Sequence, residues 1–464
     1  MNTKIAEDKK KKDNNVEILL GEPKKALVKL AMPMIMASLA HALFQLTDIL
    51  WVAGLGADSI SAVGFFSPLL LLSAAFISGI GVGGGTRISQ RIGADDKNGA
   101  GIVASQLFTL IIVASIIIIG LIYWFETTIF TALGAKNILD LALSYSRIML
   151  LSFFFQFLLE GAATIFRSEG DAKRAMNLYL VTIVLNVVLD PIFIYGLDLG
   201  VAGAAWASVV SLLLATVLWV YWIIIKKSTY IAVNIKLLKL DTNAKAILQL
   251  GVPVALSQVF AALMIVINTR LVAEVGGTDG VAIYQVGLRF WNLTLLPLFG
   301  VANAMTTIVG AAWGANDISK IHVVFRYALK VTLVSQGILS IFIFVAAPQL
   351  AFMYSWAEES ENFKSNFEVF FMVFATINLS AVFVFLVENL MVGIGEATKK
   401  LYLSLVRGFL FVVPFTILFG VILEYGLLGV WVGISIGNWL GALLAGIVYF
   451  KYFNDRKVSP AVQG

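Results

Sequence analysis

The sequence predicts an all-α polytopic membrane protein of twelve transmembrane helices divided between two six-helix lobes. Three observations carry this prediction. Of the 464 residues, 59% are apolar or aromatic and only 13% are charged, against roughly 25% charged in a soluble domain. The mean hydropathy is +0.91, gathered into unbroken runs of the ~20 residues that a bilayer core demands. The turn motifs between those runs recur in the same order in the second half of the chain.

Taken in order, the spans lie near residues 24–52, 60–85, 101–124, 140–165, 175–196 and 201–225. The second ends in the basic stretch Arg87 to Lys97, and the fourth in Arg167 to Arg174. The third contains Leu107 to Trp124, an unbroken apolar stretch far too long for the ~10-residue alternating strand of a membrane barrel. After the charged stretch Lys226 to Lys245, six more spans lie near 247–272, 280–305, 321–347, 366–391, 401–423 and 428–450. The organisation is therefore a cytoplasmic tail over 1–23, a first lobe over 24–225, a cytoplasmic linker over 226–246, a second lobe over 247–450 and a cytoplasmic tail over 451–464. Lys9 to Lys12 precede the first span, but no small-residue cleavage site follows, so no removable signal peptide is expected.

Charge orients the array. Lys and Arg number 33 and Asp and Glu 28, a net +5, and in a membrane protein the placement of these residues says more than their sum. Arg87, Arg91, Lys97, Arg167, Lys173, Arg174, Lys320, Lys399 and Lys400 all fall after even-numbered spans, as do the lysines from 226 to 245 and those of the tail. The odd loops hold mainly Lys136 and Lys364, and one carries Glu358, Glu359 and Glu361. Both termini are thus expected on the cytoplasmic side of the cell membrane.

Composition also excludes functions. With no cysteine, disulfides, thiol catalysis and thiolate metal sites are out of reach. The two histidines, His41 and His322, leave no multi-histidine metal centre. The run from Gly79 to Gly85 superficially suggests a phosphate loop, but it ends an apolar span with no strand before it, and close helix packing accounts for it. No Walker motif or catalytic set emerges, so neither an enzyme nor a nucleic-acid partner is expected.

The repeat is read from four matches. Leu-Ala-Met-Pro33 answers Leu-Gly-Val-Pro253, and Arg91-Ile-Gly-Ala-Asp-Asp answers Ala312-Trp-Gly-Ala-Asn-Asp. Glu169-Gly-Asp-Ala answers Ile394-Gly-Glu-Ala, and Gly200-Val-Ala-Gly203 answers Gly426-Leu-Leu-Gly429. An even number of spans per half makes the repeats enter the membrane in the same sense, related by an axis along its normal.

Acidic side chains inside a bilayer are expensive, roughly 2.5–3.5 kcal/mol each on insertion scales, so those present point to function. They are Asp48, Glu160, Asp190 and Glu388. Ser38, His41, Gln45 and Asp48 follow at helical spacing and give span 1 one polar face. The span 7 counterparts, near Gln258, Ala261, Ile265 and Asn268, have lost most of it. Asn186 and Asp190 share a face of span 5, and Pro191 leaves the carbonyl of Val187 open. Carboxylates and amide oxygens at Asp48, Asn186 and Asp190 suit sodium; two carboxylates held close in low dielectric also suit a proton. The residues alone are compatible with either ion. His41 is compatible with a packing role or with a proton relay beside Asp48, and Glu388 with a solvated inner mouth. Arg147 and Arg407 lie near helix ends and are expected to snorkel. Pro33 and Pro253 mark bends or hinges within spans 1 and 7. The phenylalanines of span 10, Phe363 to Phe385, are expected to be mostly lipid-facing and core surface, with a minority lining an aromatic cavity.

These motifs resemble the multidrug and toxic compound extrusion (MATE) transporters. The Leu-x-x-Pro openings, Asp48, the Arg-x-Gly-Ala-x-Asp loop, Arg167-x-Glu-Gly-Asp171 and Asn186-Val-Val-Leu-Asp-Pro191 carry the resemblance, which spans about residues 20 to 450 and is strongest to the archaeal/DinF-like branch. It implies a V-shaped pair of lobes and export of organic, often cationic, compounds by antiport against H+ or Na+. It carries ion coupling to Asp48, Asn186 and Asp190, and to Ser208 on span 6. Glu160 stands where that resemblance leads one to expect an amide. Walls for a substrate cavity are sought at Gln45, Asn186, Gln258, Met264, Tyr284 and Arg289. No cofactor beyond the coupling ion is expected, and the chain is expected to act as a monomer on small organic molecules. A lipid-linked precursor flippase and a major-facilitator porter are the rival readings. The first needs a cationic cavity, and the second a Gly-x-x-x-Asp-Arg loop that Arg87 to Lys97 does not match.

Overall fold

The computed structural model describes residues 15–234, 241–355 and 361–456, apart from the side chains of Phe44, Gln45, Leu46, Asp48 and a few helix-end residues. The predicted basic run at Lys9 to Lys12, Lys236 and Lys239, and the acidic pair Glu358 and Glu359, lie outside the described residues. Within them the chain is helical. A short helix α1 (residues 15–20) precedes α2 (Pro23–Ala53), α3 (Ala57–Gly93), α4 (Lys97–Ala132), α5 (Leu139–Ser168), α6 (Ala172–Pro191) and α7 (Gly200–Val220). There follow α8 (Thr242–Thr294), α9 (Leu296–Gly314), α10 (Ile318–Ser355), α11 (Glu361–Gly393), α12 (Ala397–Leu405), α13 (Val413–Ile417) and α14 (Gly426–Arg456). Twelve segments among the described residues are long and apolar enough to cross a membrane.

Several helices outrun the bilayer. The 37 residues of α3 would reach ~55 Å at 1.5 Å per residue, well beyond the hydrocarbon core. Arg87 and Arg91, near its end, therefore project past the apolar zone.

Two spans are interrupted where the sequence reading drew single helices. The long α8 holds spans 7 and 8 and breaks between them, as expected, at Gly277, whose φ of 58° and ψ of −148° are open to glycine. The eighth span is cut at Leu295, just ahead of Pro297, which has no N–H for the carbonyl of Leu293. The eleventh runs through α12, wide π turns at Val406–Val412, α13 with Pro414, and π turns again at Leu418–Ile422. Ile192–Gly196 makes the same kind of turn directly after Pro191. Proline removes a helical donor, and a wider turn re-partners the carbonyls it strands.

The loop motifs are helix starts. Asp96 accepts the N–H of Gly99 at 2.8 Å, Asp171 that of Arg174 at 3.1 Å, and Asp317 that of Lys320 at 2.8 Å. Each meets a donor that the first helical turn would otherwise leave unpaired. The duplication is also written in the backbone. Left-handed residues recur at matching places: Gly56 and Gly277, Asp95 and Asn316, Gly170 and Gly395, Asp198 and Glu424, Gly200 and Gly426.

Two compact units emerge, one of Met1–Ala255 with Thr306–Ile321, the other of Leu256–Met305 with His322–Gly464. In the first, α5 packs against α3, α4 and α7, while α2 lies along α6. The buried ring of Phe153 stacks on Phe157 and packs at a tilt on Phe66. Lipid is as apolar as these side chains, so close packing rather than water exclusion holds the helices together. Two backbone approaches illustrate this. A side chain at Gly93 would strike the carbonyl of Ala311, and one at Gly314 would strike the carbonyl of Gln90. Gly79 and Gly83 meet Gly251 and the carbonyl of Ile247 in the same way, which confirms the packing role expected for that glycine run.

The segments at one end of this unit are fastened rather than loose. Lys320, read in the sequence as a basic marker after span 8, is 8% exposed and caps α1 by donating to the carbonyls of Leu19 at 3.1 Å and Leu20 at 2.5 Å. The chain after α7 folds back along the unit: Arg174 reaches the carbonyl of Ser228 at 2.9 Å, and Asn234 N–H reaches the Ser105 hydroxyl at 2.9 Å.

In the second unit α11 packs on α14. Phe363, Phe367, Phe370, Phe371 and Phe374 are buried there with Trp431, so of the two surroundings expected for the aromatic run, lipid and core, these five take the core. Phe370 and Phe374 stack with centroids 3.9 Å apart.

Candidate functional site

Asn186 and Asp190 sit one turn apart on α6 and point to the same side, as their spacing requires. Both are buried, Asp190 completely. The Asn186 amide donates to Asp190 Oδ1 at 3.2 Å and to the Ser208 hydroxyl of α7 at 3.3 Å. Its own carbonyl oxygen, Oδ1, is buried with no hydrogen-bond partner among the described residues. A buried amide oxygen without a donor is costly unless a cation or proton meets it. The site is braced from outside by the Pro191 turn. Tyr195, within that turn, donates its hydroxyl to the carbonyl of Trp51 at 2.6 Å, tying the end of α6 to α2. Asp48 and Gln45 ride on α2, the helix that lies along α6, and their side chains lie outside the described residues.

Glu160 has separate partners. Arg167 Nη2 donates to its Oε1 at 2.5 Å and to the Thr164 hydroxyl at 2.8 Å, and Tyr179 of α6 donates to its other oxygen. Arg167, read in the sequence as a loop cation, lies in the last turn of α5 and reaches back to neutralise this carboxylate. The carboxylate is about a quarter exposed, at 25%, and so is the guanidinium, at 23%.

Other expectations shift with the structure. Tyr284, sought on a cavity wall, is 3% exposed and stacks on Trp431 at 5.9 Å, packed as core. Met264 lies against Gly408, Gln258 is half-buried, and Arg289 and His41 are exposed. Pro33 and Pro253 lie inside α2 and α8, each helical on both sides of its proline. Glu388 is not solvated: it is 3% exposed and accepts the Ser404 hydroxyl at 2.9 Å. Arg407 bonds Asn438 at 3.1 Å, and Arg147 is anchored to Glu126 at 2.9 Å, so neither simply snorkels. Asn268, the repeat mate of Asp48, is buried and turned back on its own helix, donating to the carbonyl of Met264 at 2.8 Å.

Sequence reasoning missed two acids. Glu126 is 1% exposed, held by Ser146 as well as Arg147. It sits near the end of its span, but the arginine of the next span was the available signal. Glu169, inside the Arg-x-Glu-Gly-Asp motif, is 3% exposed and accepts the N–H of Ile231 at 2.8 Å. Burial raises its carboxyl to about 7 against the lowering effect of its bonds to the backbone at Ile231 and Tyr230. Among the described residues no cluster of three or more His, Cys, Asp or Glu could hold a metal.

The comparisons agree with this architecture. A solved structure described as the outward-facing conformation of a multidrug resistance MATE family transporter superposes with a TM-score of 0.89 at 33% identity, over 96% of this chain and 99% of that one. The probable multidrug resistance protein YoeA of Bacillus subtilis is 26% identical over 71% of this chain and 73% of its own length. The multidrug export protein MepA of Staphylococcus aureus is 27% identical over 63% of this chain and 65% of its own. The MatE family profile matches residues 33–192 and 253–418, one stretch in each half and together more than half of the chain. The chain, a multi-pass membrane protein with the fold of these transporters, belongs to the MatE family.

Proposed function

We propose that this chain is a secondary active multidrug exporter that antiports organic, cationic and amphipathic compounds against H+ or Na+ by alternating access. The observation that carries this reading is the Asn186–Asp190–Ser208 group. It is an ionisable, buried, hydrogen-bonded cluster whose amide oxygen at Asn186 lacks a donor among the described residues. An intramembrane carboxylate is functional by default, and a carboxylate next to an amide oxygen supplies hard ligands for sodium or a protonatable pair. Asp48 joins the coupling group from α2, the helix that lies along α6. Ion binding there would bias two conformations, and organic substrate would favour the other one.

In this reading the chain works as a monomer in the cell membrane with both termini cytoplasmic, as the placement of its basic residues supports. It falls in the archaeal/DinF-like branch on the likeness of its span 5 motif. The test is efflux from proteoliposomes under an imposed proton or sodium gradient, each applied separately. Export driven by one of the two supports antiport and names the ion. Indifference to both would overturn it.

A further inference from the structure

Helices α3 and α8 run antiparallel in close register. A side chain at Gly79 would lie 2.5 Å from the carbonyl of Gly251, and one at Gly83 would meet the carbonyl of Ile247. One turn further, beyond the last glycine contact, the same register brings Arg87 opposite Asn243, in the first turn of α8. The side chains that follow the glycines are long, and a cavity of about 170 Å³ lies there, lined by Arg87, Gln90, Arg91, Val103, Asn243 and Ala246.

This cavity is cationic. Arg87 donates one Nη to Gln90 at 3.0 Å, while its Nε is buried with no acceptor among the described residues. A guanidinium presents its donors as a fixed fork suited to a planar or tetrahedral oxyanion. The nearby carboxylates are already engaged, Asp96 with Arg91 at 2.8 Å and with the N–H of Gly99, and Asp241 with Asn243. Asp241 also takes the backbone N–H of Asn243 at 2.8 Å, so one donor at the start of α8 is already met, and the others of its first turn favour an anion. Neither arginine is a relic of duplication: the repeat mate of Arg87 is Ile308, and that of Arg91 is Ala312. The ion-coupling group described above has no part in it.

We propose that Arg87, Arg91 and Asn243 form a binding site for a phosphate-bearing anion, either the headgroup of an acidic phospholipid or free phosphate. The anion bridges α3 to the start of α8 where glycine packing ends, and so fastens the two helices at that point.

The test uses the full chain in nanodiscs of neutral phosphatidylcholine, titrated with phosphatidylglycerol in one arm and inorganic phosphate in the other, each against chloride at equal ionic strength. Binding is read by native mass spectrometry and by the shift in unfolding midpoint. Wild type should be stabilised in at least one arm, and the responding arm identifies the source. Arg87→Gln should weaken that response by about tenfold or more, the worth of a charge-assisted hydrogen bond. Should Arg87→Gln fail to fold, Asn243→Asp decides, because an acidic residue in the first turn of a helix is compatible with folding while its charge expels an anion. Loss of the response in Asn243→Asp supports the site. No response in wild type beyond chloride, or an unchanged response in Asn243→Asp, overturns it.

Discussion

Arg167 reaches back seven residues along α5 to donate to Glu160 at 2.5 Å, and Tyr179 closes the same carboxylate from α6. A charge that looked surplus in the sequence is therefore compensated by a cation that looked like a topology marker. The two belong to one polar lock between neighbouring helices.

Breaking the lock from one side should cost more than removing it. Arg167→Leu leaves the Glu160 carboxylate with only Tyr179 and Thr164, and about 2 kcal/mol of stability should be lost, less than for a fully buried pair because both groups are partly exposed. The Glu160→Leu, Arg167→Leu double variant should recover part of that loss. A double-mutant cycle on unfolding midpoints in detergent measures it, and strict additivity would mean that the pair is not coupled.

Asp190→Asn and Asp48→Asn should each abolish drug resistance in an efflux-deficient host at normal expression. The replacement at Asp190 keeps volume and an acceptor for the Asn186 amide, so the loss would report charge rather than packing. Full resistance in both variants would remove the coupling role from this site.

Glu169 makes stability pH-dependent with a definite sign. Its folded carboxyl titrates at about 7 against an ordinary value of 4.5, so the folded state holds the proton over a range where the unfolded chain has lost it. The contribution is fully present below pH 4.5 and is lost as pH rises to about 7, with a slope approaching about 1.4 kcal/mol per pH unit. Glu169→Gln, which keeps an acceptor for the Ile231 N–H, should flatten that part of the stability profile. A wild-type profile between pH 4.5 and 7.5 that matches the variant's would refute this assignment.

Gly93→Ala and Gly314→Ala should each destabilise the protein by about 1–3 kcal/mol, the usual cost of forcing atoms into a filled space. The double variant should lose less than the sum, since the first substitution already pries α3 from α9. Thermal unfolding of the three variants checks both statements.

How legible was this molecule in its sequence? Twelve spans could be read because hydrocarbon admits only long apolar helices, and the repeat could be read because turn residues such as Gly200 and Gly426 have few substitutes at positive φ. The pairing of Asn186 with Asp190 follows from a one-turn spacing. What could not be read depends on neighbours. Glu388 lies near a helix end and reads as wet, and Glu126, just past its predicted span, goes unread, yet Ser404 and Arg147, supplied by other helices, hold them buried. Tyr284 has the composition of a binding-site aromatic, but only the position of Trp431 assigns it to the core. The breaks at Leu295 and Val406–Val412 were missed because a hydropathy window averages over a single stranded carbonyl.

The contact of Gly93 with Ala311 and that of Gly314 with Gln90 are the same contact made twice, each half offering the other the same pair of positions. Two identical chains meeting about a two-fold axis make this kind of self-complementary junction. As such a dimer, every charge on one six-helix unit would have appeared on its partner too. A single polypeptide carrying both repeats is free of that constraint. Asp48 can stand where its counterpart is Asn268, and Arg87 where its counterpart is Ile308. The glycine junction preserves the symmetry, and the charged positions record what the chain gained by departing from it.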